Sequence, residues 1–208
     1  AGADGGALPR LRPGPVTGST AAAPARQAGL PSAAWVGTLF FIAAETMVFA
    51  GLLYFFLAYR LWSPVWPPLG EPRLPLGVTL VNTAVLLASA VVMRRAVRLA
   101  RAGVEARSRR LCVATAALGW AFLTVQGSEW WRMAHWGLTA SSSPYGGIVY
   151  TLIGAHGLHV LGAVVWLLTL APAGRRAPPP LARLQACALN WYFGSGLWLA
   201  IFPVVYLS

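Results

Sequence analysis

The sequence predicts an all-α polytopic membrane protein, a bundle of five transmembrane helices with the N-terminus in the cytoplasm and the C-terminus outside. The composition is the first observation: 57% of the 208 residues are hydrophobic and 10% are charged, with a mean hydropathy of +0.62. Soluble domains carry about 25% charged residues. Five long apolar runs are the second observation, and the uneven distribution of arginines between the two sides of these runs is the third.

Two parts of the chain differ in composition. Residues 1–31 are rich in Gly, Ala and Pro, show no helical period and contain no apolar signal-peptide core, so we expect a flexible cytoplasmic tail. Residues 32–208 then form the membrane domain. Each apolar run approaches or exceeds the roughly 20 residues that a helix needs to cross the hydrocarbon core. The runs cover about residues 34–59, 75–93, 111–131, 147–171 and 184–207.

The arginines predict the orientation. All sixteen basic residues are arginines, and thirteen of them fall on the side of the membrane that carries the N-terminal tail. The exceptions are Arg60, Arg73 and Arg132. Because positively charged loops stay in the cytoplasm, the tail is expected inside, and five spans then place the C-terminus outside.

Two other readings of the composition are disfavoured. The net charge of +11 does not indicate nucleic-acid binding, because the arginines lie between apolar runs and form no separate basic domain. Cys112 and Cys187 have no CxxC partner, so neither a disulfide framework nor a zinc site is expected, and both thiols are assigned to packing.

Glu45 is the most informative single residue. It lies inside the first apolar run, where an isolated charge costs about 2.5–3.5 kcal/mol on insertion scales. Since desolvation disfavours the charged form, we expect Glu45 to be protonated and to donate a hydrogen bond to a neighbouring helix or a lipid.

The other four runs also carry polar residues, which are expected to face the bundle interior and to form a buried polar seam. Both acids, Glu45 and Glu129, are candidates for a contact with a histidine, and the sequence does not choose between them. The seam consists of Asn82, Gln126, Glu129, His156, His159, Asn190 and Ser195.

A metal site is disfavoured although His156 and His159 are spaced i, i+3. Di-iron bundles that use such pairs need several more carboxylates from facing helices. A haem held by two histidines would need them on two facing helices, and one run carries both. No nucleotide-binding or hydrolase motif is present, so we expect no catalytic residue on this chain.

The order of the motifs resembles subunit III of the haem-copper oxidases, the cytochrome c and quinol oxidase family. The acid-bearing run FFIAAETMVFAGLLYFF is followed by Trp66-Pro67-Pro68, by LVNTAVLLASA, by GWAFLTVQGSEW and by YGGIVYTLIGAHGLHVLGA. The resemblance covers about residues 33–208 and corresponds to the shorter five-helix bacterial form.

This resemblance implies a subunit of an oxidase complex that itself carries no redox centre, metal or other cofactor. The expected partners are the catalytic subunit I, which holds haem and copper, together with subunit II, other respiratory subunits and bound phospholipid. Subunit III would stabilise subunit I and support proton uptake while oxygen is reduced to water in aerobic respiration. Glu45 matches the family's buried membrane carboxylate, and the implied location is the bacterial cytoplasmic membrane.

The last run departs from the family pattern. Where the family often has WHFVDxVW, this chain has WYFGSGLW, so Tyr192 replaces a histidine and Ser195 an aspartate. Two alternatives therefore stay open: a subunit-III-like accessory protein of a nitric oxide reductase, and a small stand-alone proton-coupled transporter.

Overall fold

The computed structural model describes residue 2 and residues 32–68, 74–170 and 180–207, and within these ranges it is all-helical. The predicted tail, apart from Gly2, lies outside the described residues. The five helices are α1 (Ala33–Trp62), α2 (Leu76–Arg101), α3 (Glu105–His135), α4 (Pro144–Leu170) and α5 (Leu181–Tyr206). All five are long and apolar enough to cross a membrane, which confirms the predicted fold class. Their orientation stays a prediction.

Local sequence explains where the helices begin and end. Ser32 caps α1, because its hydroxyl oxygen accepts a hydrogen bond from the Trp35 N–H at 3.3 Å. Pro75 and Pro180 directly precede α2 and α5, where the missing N–H of proline costs nothing. After α2 and α3 the chain reverses at Gly103 (φ +75°) and Gly137 (φ +93°), a left-handed backbone conformation that favours glycine.

Helices α2 and α3 extend well beyond their apolar runs. Only residues 102–104 separate them, so most of the arginine-rich segment 94–110 is helical. The Ser108 hydroxyl donates a hydrogen bond to the Ala96 carbonyl oxygen at 2.9 Å and joins the two helices near their connection. The arginines of this segment are therefore held on a helical hairpin.

Helix α5 is central and α1 is peripheral. In the described part of the chain, the backbone of α5 approaches those of α1, α2 and α4 closely, whereas the backbone of α1 comes close only to those of α4 and α5. Half of the most apolar window of α5 is buried, compared with 11% of that of α1. The contacts with α4 and α5 therefore hold α1 in the bundle.

Close approach between helices occurs where side chains are smallest. At Gly119 of α3, an added Cβ would overlap the Trp191 ring of α5 and would lie 2.9 Å from Cγ2 of Val164 in α4. Glycine at this position is what lets three helices meet around a buried tryptophan.

Candidate functional site

Glu45 pairs with His159. The carboxylate oxygen Oε2 of Glu45, in the middle of α1, lies 2.6 Å from Nδ1 of His159 in α4. The His159 side chain is 1% exposed and that of Glu45 is 18% exposed. The sequence left both acids as candidates for a histidine contact, and the structure joins His159 to Glu45.

The second ring nitrogen of His159 reaches α5. Nε2 lies 3.4 Å from the main-chain carbonyl oxygen of Asn190. A carbonyl oxygen only accepts, so a hydrogen bond at this contact requires the tautomer with a hydrogen on Nε2. A single imidazole thus links α1, α4 and α5.

This tautomer limits the ways in which Glu45 and His159 can pair. With a hydrogen on Nε2, the short contact at Nδ1 is either a neutral acid donating to a neutral ring or an imidazolium donating to a carboxylate. Both forms share one proton between Glu45 and His159, and both carry no net charge. A neutral pair avoids the large cost of an isolated charge in an apolar interior.

The surroundings hold the His159 ring in place. Phe41 of α1 stacks on it with ring centroids 6.5 Å apart, and Phe193 of α5 approaches edge-on at 5.7 Å. The space beside the ring, also lined by Gly194 and Ser195, measures about 10 Å³. This volume admits no more than one water molecule, so the site can hold a proton but cannot admit a substrate.

Gly194 is the reason that the ring fits against α5. A Cβ at this position would lie 2.6 Å from Nε2 and 2.7 Å from Cδ2 of His159. Two residues further on, a Cβ at Gly196 would meet nothing within 4 Å. Of these two glycines, only Gly194 makes room for a neighbouring side chain in the described part of the chain.

The remaining residues of the predicted seam are buried but make separate contacts. Asn82 donates through Nδ2 to the Phe122 carbonyl oxygen at 3.1 Å. Gln126 donates through Nε2 to the Tyr206 hydroxyl at 3.0 Å. The Ser195 hydroxyl bonds within its own helix, to the Trp191 carbonyl oxygen at 2.9 Å. In the described residues, Asn82 and Gln126 thus join helices, whereas the Ser195 hydroxyl bonds within α5 and the Asn190 Oδ1 is buried without a partner.

Glu129 and His156 do not form a site together. Glu129 forms an ion pair with Arg132, one turn along the same helix, and Oε2 of Glu129 is buried without a hydrogen-bond partner. Neither ring nitrogen of His156 has a partner within the described residues, and the ring stacks on Trp198 at 4.9 Å. His156 therefore acts as an aromatic packing residue in this arrangement.

Two tryptophans of α5 were missed as hydrogen-bond donors by the sequence analysis. Trp198 donates through Nε1 to the Thr83 hydroxyl at 2.8 Å, and Trp191 donates to the Ser89 hydroxyl at 3.0 Å. Both bonds join α5 to α2. The seven-residue spacing of Trp191 and Trp198 on one helix face was the available signal.

Substitutions at Glu45 test the proton in the pair. In Glu45→Gln, the amide N–H can donate to Nδ1 as an acid O–H would. The free energy of unfolding of the purified protein, measured by thermal denaturation, should therefore stay within about 0.5 kcal/mol of the parent value. Glu45→Ala leaves the buried ring nitrogen unpaired and should cost about 1–3 kcal/mol. If Glu45→Gln destabilises the protein as much as Glu45→Ala while Glu45→Asp is tolerated, the pair is an imidazolium and a carboxylate. The expectation that Glu45 is protonated would then be wrong.

Gly194→Ala tests the position of the His159 ring. The added methyl group must displace a ring that Glu45 and Asn190 hold from opposite sides, so we expect a loss of about 1–3 kcal/mol in thermal stability. Gly196→Ala is the matched control and should be close to neutral, because its methyl group enters open space. Equal effects of the two substitutions would contradict the clearance role of Gly194.

Comparison with known proteins shows the family of the chain. The family model of cytochrome c oxidase subunit III matches residues 20–207. A protein of Nocardia farcinica described as probable cytochrome c oxidase subunit 3 is 34% identical over 181 residues, which are 85% of this chain and 88% of that relative. Cytochrome c oxidase subunit 3 of Synechocystis sp. is 33% identical over 184 residues, 86% of this chain and 77% of the relative.

These matches do not favour the nitric oxide reductase or transporter alternatives. The five apolar helices and the bacterial relatives support a multi-pass protein of the bacterial inner membrane. In the described residues, no group of three or more His, Cys, Asp or Glu side chains could hold a metal ion. The chain belongs to the cytochrome c oxidase subunit III family.

Proposed function

We propose that this chain is the non-catalytic subunit III of a haem-copper terminal oxidase, which stabilises the catalytic subunit and supports proton uptake during reduction of oxygen to water. The observation that carries the proposal is the family match over most of the chain. The named relatives are themselves subunits of cytochrome c oxidase. Haem and copper belong to the partner subunits, and this chain carries no redox centre.

The Glu45–His159 pair supplies a physical role that suits such a subunit. The His159 ring is buried at the junction of three helices, and the space beside it is too small for a substrate. We assign the proton to Glu45, because the neutral form avoids separating charge in an apolar interior. The pair then stabilises the bundle and keeps a titratable group inside the membrane beside the catalytic partner.

The partners follow from the same assignment. The catalytic subunit I is the main one, with subunit II and other respiratory subunits in the complex, and membrane lipids cover the remaining apolar surface. Large exposed side chains on α1, among them Phe40, Met47 and Tyr54, show that the helix presents an apolar face away from α4 and α5. Subunit association or lipid covers such a face in the membrane.

Purification of the tagged chain from its native membrane in a mild detergent tests the proposal. We expect a haem-copper oxidase large subunit to co-purify, together with a haem a-type or o-type absorption spectrum and oxygen consumption. Co-purification of a nitric oxide reductase would contradict the oxidase assignment. A colourless protein without partners would contradict membership of any such complex, provided that an established subunit purified in parallel retains its partners.

A further inference from the structure

A cavity lies where α1 ends and α2 begins, at the end of the bundle that the arginine distribution predicts to be outside. It measures about 380 Å³. Pockets that take ligands start at about 300 Å³, so this space has room for a side chain of another molecule. We call it the Arg60 cavity, and its lining includes Arg60, Trp66, Leu76, Tyr145 and Tyr206.

The guanidinium group of Arg60 is held in place by Trp66. Cζ of Arg60 lies 5.0 Å from the centroid of the Trp66 ring. Trp66 is itself fixed by edge-on ring contacts with Phe56 of α1 at 5.5 Å and with Tyr145 of α4 at 5.2 Å. A guanidinium stacked on an indole keeps its N–H groups available in its own plane, so Arg60 is positioned before any partner binds.

The charge of Arg60 is not neutralised by the described acids. In the described ranges, both ion pairs involve other residues. Nε of Arg60 is buried and has no hydrogen-bond partner among these residues. The guanidinium thus lacks both a counter-charge and an acceptor for Nε, and an anionic acceptor in the cavity would stabilise it.

The helix ends at the cavity do not set the sign of its charge. The N-terminal ends of α2 and α4 and the C-terminal ends of α1 and α5 all reach it, so their dipoles oppose one another. Among the described lining residues, Arg60 carries the one formal charge. The cavity is therefore suited to one negative group.

The rim beside Arg60 is apolar. On α1, Leu61 is 79% exposed and Trp62 is 87% exposed. Arginine and large aromatic side chains together are typical of the residues that carry most of the binding energy in protein interfaces. One guanidinium donates two parallel hydrogen bonds to a carboxylate, so no second cation is needed. These features favour an acidic side chain of another protein over a free anion.

We propose that the Arg60 cavity receives an aspartate or glutamate side chain of a neighbouring subunit, whose carboxylate accepts two hydrogen bonds from the Arg60 guanidinium. Leu61 and Trp62 then pack against the same subunit around this contact. The site rests on the proposed function, because a neighbouring subunit must be present. Trp66 acts as a positioning residue, since it holds the guanidinium and does not contact the carboxylate.

The chain contains no lysine, which permits a direct test. In the purified complex, Arg60→Lys introduces an amine that a water-soluble carbodiimide joins by an amide bond to a carboxylate in contact with it. Mass spectrometry of the digested complex should then find position 60 linked to an Asp or Glu of another subunit. Arg110→Lys, at an exposed position of α3, is the matched control and should not give this link.

Arg60→Gln tests the energetic contribution of the contact. The neighbouring subunit should dissociate about ten-fold faster from this variant than from the parent, whereas Arg110→Gln should have little effect. Subunits that stay bound to Arg60→Gln as long as to the parent would overturn the proposal.

The cross-linking outcomes separate this site from the proposed function. A link from position 60 to Glu71 of the same chain would overturn the site, because the chain would then supply its own carboxylate. An intact oxidase in which position 60 forms no link would overturn the site and leave the oxidase assignment standing. A chain that purifies alone and colourless would contradict the proposed function itself.

Discussion

The structure depends on one constraint, which is that a carboxylic acid inside a membrane helix needs a hydrogen-bond partner for its polar group. His159 provides it for Glu45, and the other nitrogen of the same ring holds the Asn190 carbonyl oxygen of α5. Because α1 packs only against α4 and α5 in the described part of the chain, this ring lies at the junction that attaches α1 to the bundle. The pair is therefore a structural tie between α1, α4 and α5, and we propose that it also stores one proton.

Helix α5 makes this arrangement possible. Gly194 leaves room for the His159 ring, and Trp191 and Trp198 bond to hydroxyl groups of α2 on another side of the helix. Interhelical hydrogen bonds and close packing at small residues are the main sources of helix association where lipid replaces water. The buried half of α5 therefore ties the helices together, which suits the proposed role of supporting a neighbouring catalytic subunit.

The number of helices and the family were predictable from the sequence, because span length and motif order are local properties of the chain. The partner of His159 was not, since Glu45 and Glu129 had similar chemistry and only the neighbour order of the helices decides between them. The clearance at Gly194 and the donors Trp191 and Trp198 depend on helix rotation, which apolar runs do not specify. The apolar runs predict that residues 94–110 connect two spans. In the structure, most of these residues continue α2 or begin α3.

The most direct test of the central claim is infrared spectroscopy of the purified complex, comparing the parent with Glu45→Gln. The account predicts a C=O stretching band of a protonated carboxyl group that is present in the parent and absent from the variant. The band should shift on exchange into D₂O only slowly, because the pair is enclosed. Loss of carboxylate bands in the variant, with no protonated-carboxyl band in the parent, would show that Glu45 is ionised and would contradict the account.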